Sequence, residues 1–293
     1  MEDDNELIIE LSSIFNLEYL TLDEYFDIEE ILNEDEYAIG INDKGEKYTT
    51  KKPLPKKDRT AEFQFDLCRK VVDRIFSPDA ELMEERDVIL AAVGVIFKEY
   101  AMLHKLVEDT LAGNLRAYPT YLIDGMDIKF HTFDKWVFDR WCYSEYFIAN
   151  GSSQNDNKIA GKKYVLPMCY GEWYEDRRYL QIKFNYFNHT AKAQDVLPAY
   201  IMVLHAINKV KQSSVPDLYA KGGGGSTTSS PYMSSHFKRF GWMETKRDLA
   251  TQGTCGNWLT IGKEPLYEVL EFLNLQTANN TAADKDYKHN NNK

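Results

Sequence analysis

Glu172-Trp-Tyr-Glu-Asp-Arg-Arg178 holds the densest set of charged side chains in the sequence. Three carboxylates in five positions, Glu172, Glu175 and Asp176, are the kind of group that carries acid/base work or binds a metal in a hydrolase or nuclease. The competing reading is a turn whose ion pairs are internal and weak. Cys169 and His189 permit a thiol–imidazole pair, yet Pro167-Met-Cys-Tyr-Gly171 matches no nucleophile elbow and G-x-S-x-G is missing from the sequence. A buried structural cysteine is the simpler expectation. His104 and Glu108 stand four apart, on one face of a helix, but Glu-x-x-His and His-Glu-x-x-His are both lacking. Surface pairing is expected there, so no catalytic residue, metal or cofactor is assigned.

Two further groups suit binding. Lys44 to Arg59 is strongly basic, and Lys51, Lys52, Lys56 and Lys57 could grip phosphates in a nucleic-acid-associated accessory factor. His236-Phe-Lys-Arg-Phe-Gly-Trp242 interleaves cations with rings that could stack bases. The net charge of −11 argues against a protein that coats nucleic acid. Gly222 to Gly225 lack a following Lys-Ser/Thr, so they make no phosphate loop. Four cysteines without a CxxC pair exclude the usual zinc spacings and a disulfide framework. Met-Glu-Asp-Asp has the wrong charge for a secretion signal, and no apolar run approaches a membrane span. A reducing, cytosolic origin is expected, which leaves the Asn-x-Ser/Thr sequons without use.

The elements that would position these residues form an α+β chain. A hydrophobic share of 43% supports a true core, and 19 Tyr with 15 Phe give it an aromatic character suited to buried contact surfaces. Residues 1–59 form an acidic arm, without Lys or Arg through Asp43, followed by a basic Pro/Lys connector. Within them Thr21-Leu-Asp-Glu24 resembles a capping box, and Tyr37 to Ile41 reads as a strand. Residues 60–212 form the main domain. Its helical half has one helix from Thr60 to Phe76 and a long amphipathic one ending at Leu111 before Gly113. Tyr121 to Phe130 predicts a hairpin turning on Asp124-Gly125. Phe133 to Phe147 suits a helix, and Lys163 to Tyr170 and Arg178 to Asn188, the latter alternating, read as two strands of a small mixed or antiparallel sheet. A helix over Lys192 to Lys211 closes this domain.

Residues 213–231 are a Gly/Ser-rich linker or loop, 232–275 a C-terminal helical pair, and 276–293 a polar tail expected to be disordered. The helical pair is expected over Phe237 to Ala250 and Pro265 to Leu275. Phe240-Gly-Trp-Met-Glu-Thr-Lys-Arg-Asp-Leu-Ala250 and Pro265-Leu-Tyr-Glu-Val-Leu-Glu-Phe-Leu-Asn-Leu275 resemble the short helical ends of tailed-bacteriophage structural and assembly proteins. The loop between them carries Cys255 and Trp258, where those proteins have an acidic, Gly-containing one. The resemblance implies a neck, tail or connector subunit without catalytic residues, assembled in the host cytoplasm and carried in the virion. It implies protein partners, as a homo-oligomer or with other virion proteins. The residues that would carry such contacts are Phe237, Phe240, Trp242, Trp258, Leu266, Tyr267 and Phe272.

Overall fold

In a computed structural model, residues 17–41, 47–76, 86–113, 117–152, 161–174, 176–214, 241–253 and 256–291 are described. The fold is helix-dominated α+β with two small antiparallel hairpins, in agreement with the sequence reading. Two compact units divide it. The first holds residues 1–108 and 191–195, the second 109–190 and 196–293.

In the first unit, α1 (Leu22–Leu32) opens on the expected capping box: Glu24 N donates to Thr21 Oγ1 and Thr21 N donates to Glu24 Oε2. Its apolar face, Tyr25, Phe26 and Ile28, is buried, as are Leu67, Val71 and Val72 of α2 (Ala61–Phe76), which packs against it. Strands β1 (Tyr37–Ile41) and β2 (Lys47–Pro53) pair from Tyr37↔Pro53 to Ile41↔Lys47. The long helix, α3 (Arg86–Leu111), runs 26 residues and stops as expected, with Gly113 at φ +88° donating its N–H to Thr110 O. Ser77-Pro78-Asp79, whose residue types suit a helix cap, first helical residue and dipole-matched acid, lie outside the described residues. Buried Ile89, Ala92, Val93, Ile96 and Leu103 mark the core face of α3. Gly94 sits exposed on this helix, and a methyl group added there meets nothing within 4 Å. Gly94→Ala is therefore expected to stabilise the protein by about 0.5–1 kcal/mol, read as a raised urea midpoint.

In the second unit the predicted hairpin forms as β3 (Tyr121–Ile123) and β4 (Met126–Ile128), with Ile123 opposite Met126. Asp124 at φ 51° and Gly125 at φ 78° supply the two left-handed positions that its turn requires. Helix α4 (Phe138–Ser152) is the core of the unit, with Phe138, Trp141 and Cys142 fully buried. The two predicted strands that follow are helical instead: α5 (Val165–Cys169), and α6 (Arg177–Asn185) running on into a π turn, Tyr186–Thr190. The alternating Leu180, Ile182 and Phe184 also fit a short helix, since Asp176 caps the start by accepting from Arg178 N. What α6 buries is Lys183, whose ammonium donates to Tyr170 O at 2.8 Å, and Phe187 of the π turn. A lysine that buries its stem breaks the wet-face reading of the alternation.

Helix α7 (Ala193–Ser214) continues the unit from Val196, with Val196, Leu197, Tyr200, Val203, Ile207 and Val210 along its buried stripe. An ion pair joins its Lys211 to the buried Glu145 of α4. The Gly222–Gly225 run lies outside the described residues. The C-terminal part comprises α8 (Trp242–Gln252), the short α9 (Trp258–Ile261) and α10 (Leu266–Asn291). The segment expected to be disordered thus extends the last helix to Asn291. Beyond Phe272 and Leu273 it is mostly exposed, held by its own backbone ladder and by Thr277 and Thr281 hydroxyls donating to Leu273 O and Thr277 O. The loop predicted between the helices contains α9, started by an Asn257–Thr260 capping box.

Candidate functional site

The basic connector serves its own unit first. Lys56 Nζ donates to Asn33 Oδ1 at 2.6 Å, and Arg59 donates to the carbonyls of Leu32 and Glu34, at the C-terminal end of α1. Cations there meet the negative end of the helix dipole. Lys52 and Lys57 are exposed, and Lys51 lies in β2. His104 and Glu108 are exposed on α3, where the imidazole ring contacts Tyr25 and Tyr100.

Cys169 is fully buried beside Ser144 Oγ at 3.7 Å, and burial pushes its thiol up to about 11. His189 is exposed, against the Phe184 ring. Cys142 is also fully buried, and burial raises its thiol well above the usual range. For Cys169 this cuts the thiolate fraction near neutrality about 100-fold. Under native alkylation with mass mapping, Cys68, which is only partly buried, is expected to react first among the three described cysteines. Cys142 and Cys169 should label only as the chain unfolds; early labelling of Cys169 would restore it as a nucleophile candidate.

Two of the three carboxylates of the cluster are described, each with a partner of its own. Glu172 is 79% exposed and lies 3.6 Å from His131 Nε2, Asp176 caps α6, and Glu175 lies outside the described residues. Among the described residues, no group of three or more His, Cys, Asp or Glu is placed to hold a metal. No helix among them is long and apolar enough to cross a membrane.

The same segment does build a cleft of about 480 Å³, from its rings as much as its charges. Helix α4 contributes Tyr143 and Phe147, and the turn before α6 contributes Trp173 and Tyr174. Tyr164, Pro167 and Met168 come from α5 and its approach, and Leu180 comes from α6. Tyr143 and Trp173 lie 5.6 Å apart, and Phe147 stacks on Tyr164 at 4.8 Å. Four polar residues, Asp139, Glu172, Arg177 and Lys183, complete the lining. Such a surface, apolar with a few placed charges, is of the kind that takes a ligand, a side chain or an extended segment.

Two buried cations hold the walls. Arg140, 1% exposed, donates from Nε to Met168 O at 3.0 Å and from Nη2 to Gly171 O, and lies over Trp136 at 5.4 Å and Trp173 at 5.8 Å. It thus fixes both the floor after α5 and the underside of Trp173. Lys246 of α8, 3% exposed in its side chain, pairs with Asp139 at 2.5 Å and lies 4.0 Å over the Trp258 ring.

The C-terminal helices are part of this structure. Trp242 is 8% exposed and meets Trp141 edge to face, and Leu266 is fully buried. Both therefore contact this chain itself. Trp258, 41% exposed, and Tyr267, 39% exposed, keep surface available, Phe272 is half-buried, and Phe237 and Phe240 lie outside the described residues. The cleft residues Tyr143, Tyr164 and Trp173 escape a reading of the sequence, because they come from three elements. One signal was present: two large rings, Trp173 and Tyr174, inside an otherwise charged turn. No family model matches the chain, nor does any curated protein or solved structure.

Proposed function

We propose that the chain is a non-enzymatic structural or assembly subunit of a tailed-bacteriophage virion, of neck, tail or connector type, that works through protein contacts in the assembling particle. The observation that carries the contact reading is the aromatic cleft, with Tyr143 at 37% and Tyr174 at 60% exposure on its rim. Rings left open to solvent beside a firmly clamped backbone are typical of protein-binding surfaces. Leu259, 73% exposed beside the half-open Trp258, adds apolar area on α9. The virion assignment draws on the resemblance of the two C-terminal segments, whose apolar positions Leu266, Val269, Leu270 and Leu273 form the buried face of α10.

Mass measurement over a concentration series tests this reading. A defined oligomer, or a monomer that assembles on adding virion proteins, is expected. A persistent monomer that binds divalent metal, and loses the metal in Glu172→Ala and Asp176→Ala, would replace it with the hydrolase reading.

A further inference from the structure

We infer that the aromatic cleft of one copy takes the connector Lys52 to Lys57 of a second copy, in a head-to-tail contact. This rests on the protein-contact reading and names the partner. The connector has a set shape: it leaves β2 at Pro53, runs extended through Leu54 to Pro55, whose φ −55° and ψ 142° lie near polyproline II, and closes in a 3-10 turn over Lys56–Asp58, with Pro53 and Pro55 exposed. Leu54 N donates to Glu36 O at 2.6 Å, and Lys56 and Arg59 are anchored on the end of α1. Docking such a segment costs little ordering entropy. Aromatic-lined grooves are the usual receptors for polyproline II segments, whose prolines lie flat on the rings. The cleft offers Tyr143 and Trp173 in contact with each other, over a floor that includes Pro167 and Leu180.

Charge points the same way. Lys44 to Arg59 carries seven basic residues against two acidic ones, in a chain whose net charge is −11. The rest of a second copy is therefore strongly acidic, and attracts this segment at long range. At the cleft itself Glu172, 79% exposed beside His131, is set against the cations Arg177 and Lys183, while Asp139 is paired with Lys246, so the attraction comes from the acidic copy as a whole. Because the two surfaces differ, the contact is heterologous and generates a ring if the rotation closes.

Sedimentation of the full chain over a concentration series reads the result. The wild type is expected to associate, about tenfold more weakly when sodium chloride is raised to about 0.5 M. Lys52→Glu/Lys57→Glu removes one surface, and Tyr143→Ala/Tyr174→Ala the other; all four residues are exposed. Each variant alone should stay monomeric at an unchanged melting temperature. Their equimolar mixture should form a one-to-one dimer that grows no further, because each copy keeps one intact surface. If the double cleft variant does not fold, Tyr143→Lys, which sets a like charge against the connector, takes its place. Self-association of either variant at wild-type strength, or a mixture that stays monomeric, overturns the inference. A monomeric wild type that binds no divalent metal overturns this contact but leaves the broader contact reading standing, whereas metal binding removes both.

Discussion

Arg140→Met is expected to destabilise the protein by about 3 kcal/mol, seen as a fall in the urea midpoint with loss of near-UV aromatic signal. The guanidinium is 1% exposed and its Nε and Nη2 satisfy the carbonyls of Met168 and Gly171. A thioether of similar length fills much of the space but donates no hydrogen bond, and each buried acceptor left unpaired costs about 1–3 kcal/mol. The indoles of Trp136 and Trp173 also lose a cation lying over their faces. Arg140→Lys keeps the charge but cannot reproduce the fork that reaches two carbonyls, so an intermediate loss is expected. A methionine variant as stable as the wild type would mean that packing alone sets the cleft floor.

Gly262→Ala carries the second large effect. Gly262 is buried, and a methyl group at that position would overlap the Asp139 carboxylate. Asp139 must then move, and Lys246, 3% exposed in its side chain, loses its partner. Leaving a buried charge unpaired costs about 3–5 kcal/mol. Asp139→Asn and Lys246→Met should each lose a similar amount, while the double variant loses clearly less than the two together. Additive losses would show that the pair is not a coupled unit. Since Asp139 also lines the cleft, the change at Gly262 should weaken any ligand of the cleft as well as the fold.

These two sites show what was readable in advance. Local signals came through: the Thr21–Glu24 capping box, the Asp124–Gly125 turn and the stop at Gly113 each depend on a few neighbouring residues. The region from Lys163 to Asn188 did not, because an alternating apolar run fits a short helix as well as a strand. There the deciding contact, Lys183 to Tyr170 O, joins residues 13 apart. The cleft was only half visible. Its charges stood out in the Glu172–Arg178 segment, but its rings meet through packing of α4, α5 and α6. The buried roles of Arg140 and Lys246 have no local signature, since in sequence both read as ordinary surface cations.

The start of α4 has a consequence for synthesis. Its first amides bond to carbonyls that come much later: Phe138 N to Glu264 O and Asp139 N to Gly262 O, with Leu266 N returning to Trp136 O. The pair Asp139–Lys246 spans 107 positions. While the ribosome is still adding these residues, at about 5–20 per second, the central helix of the second unit has a bare N-terminus and an unpaired aspartate. Its closure is thus a late event in the emergence of the chain, and a nascent chain stalled before Gly262 would be an open substrate for chaperones and proteases.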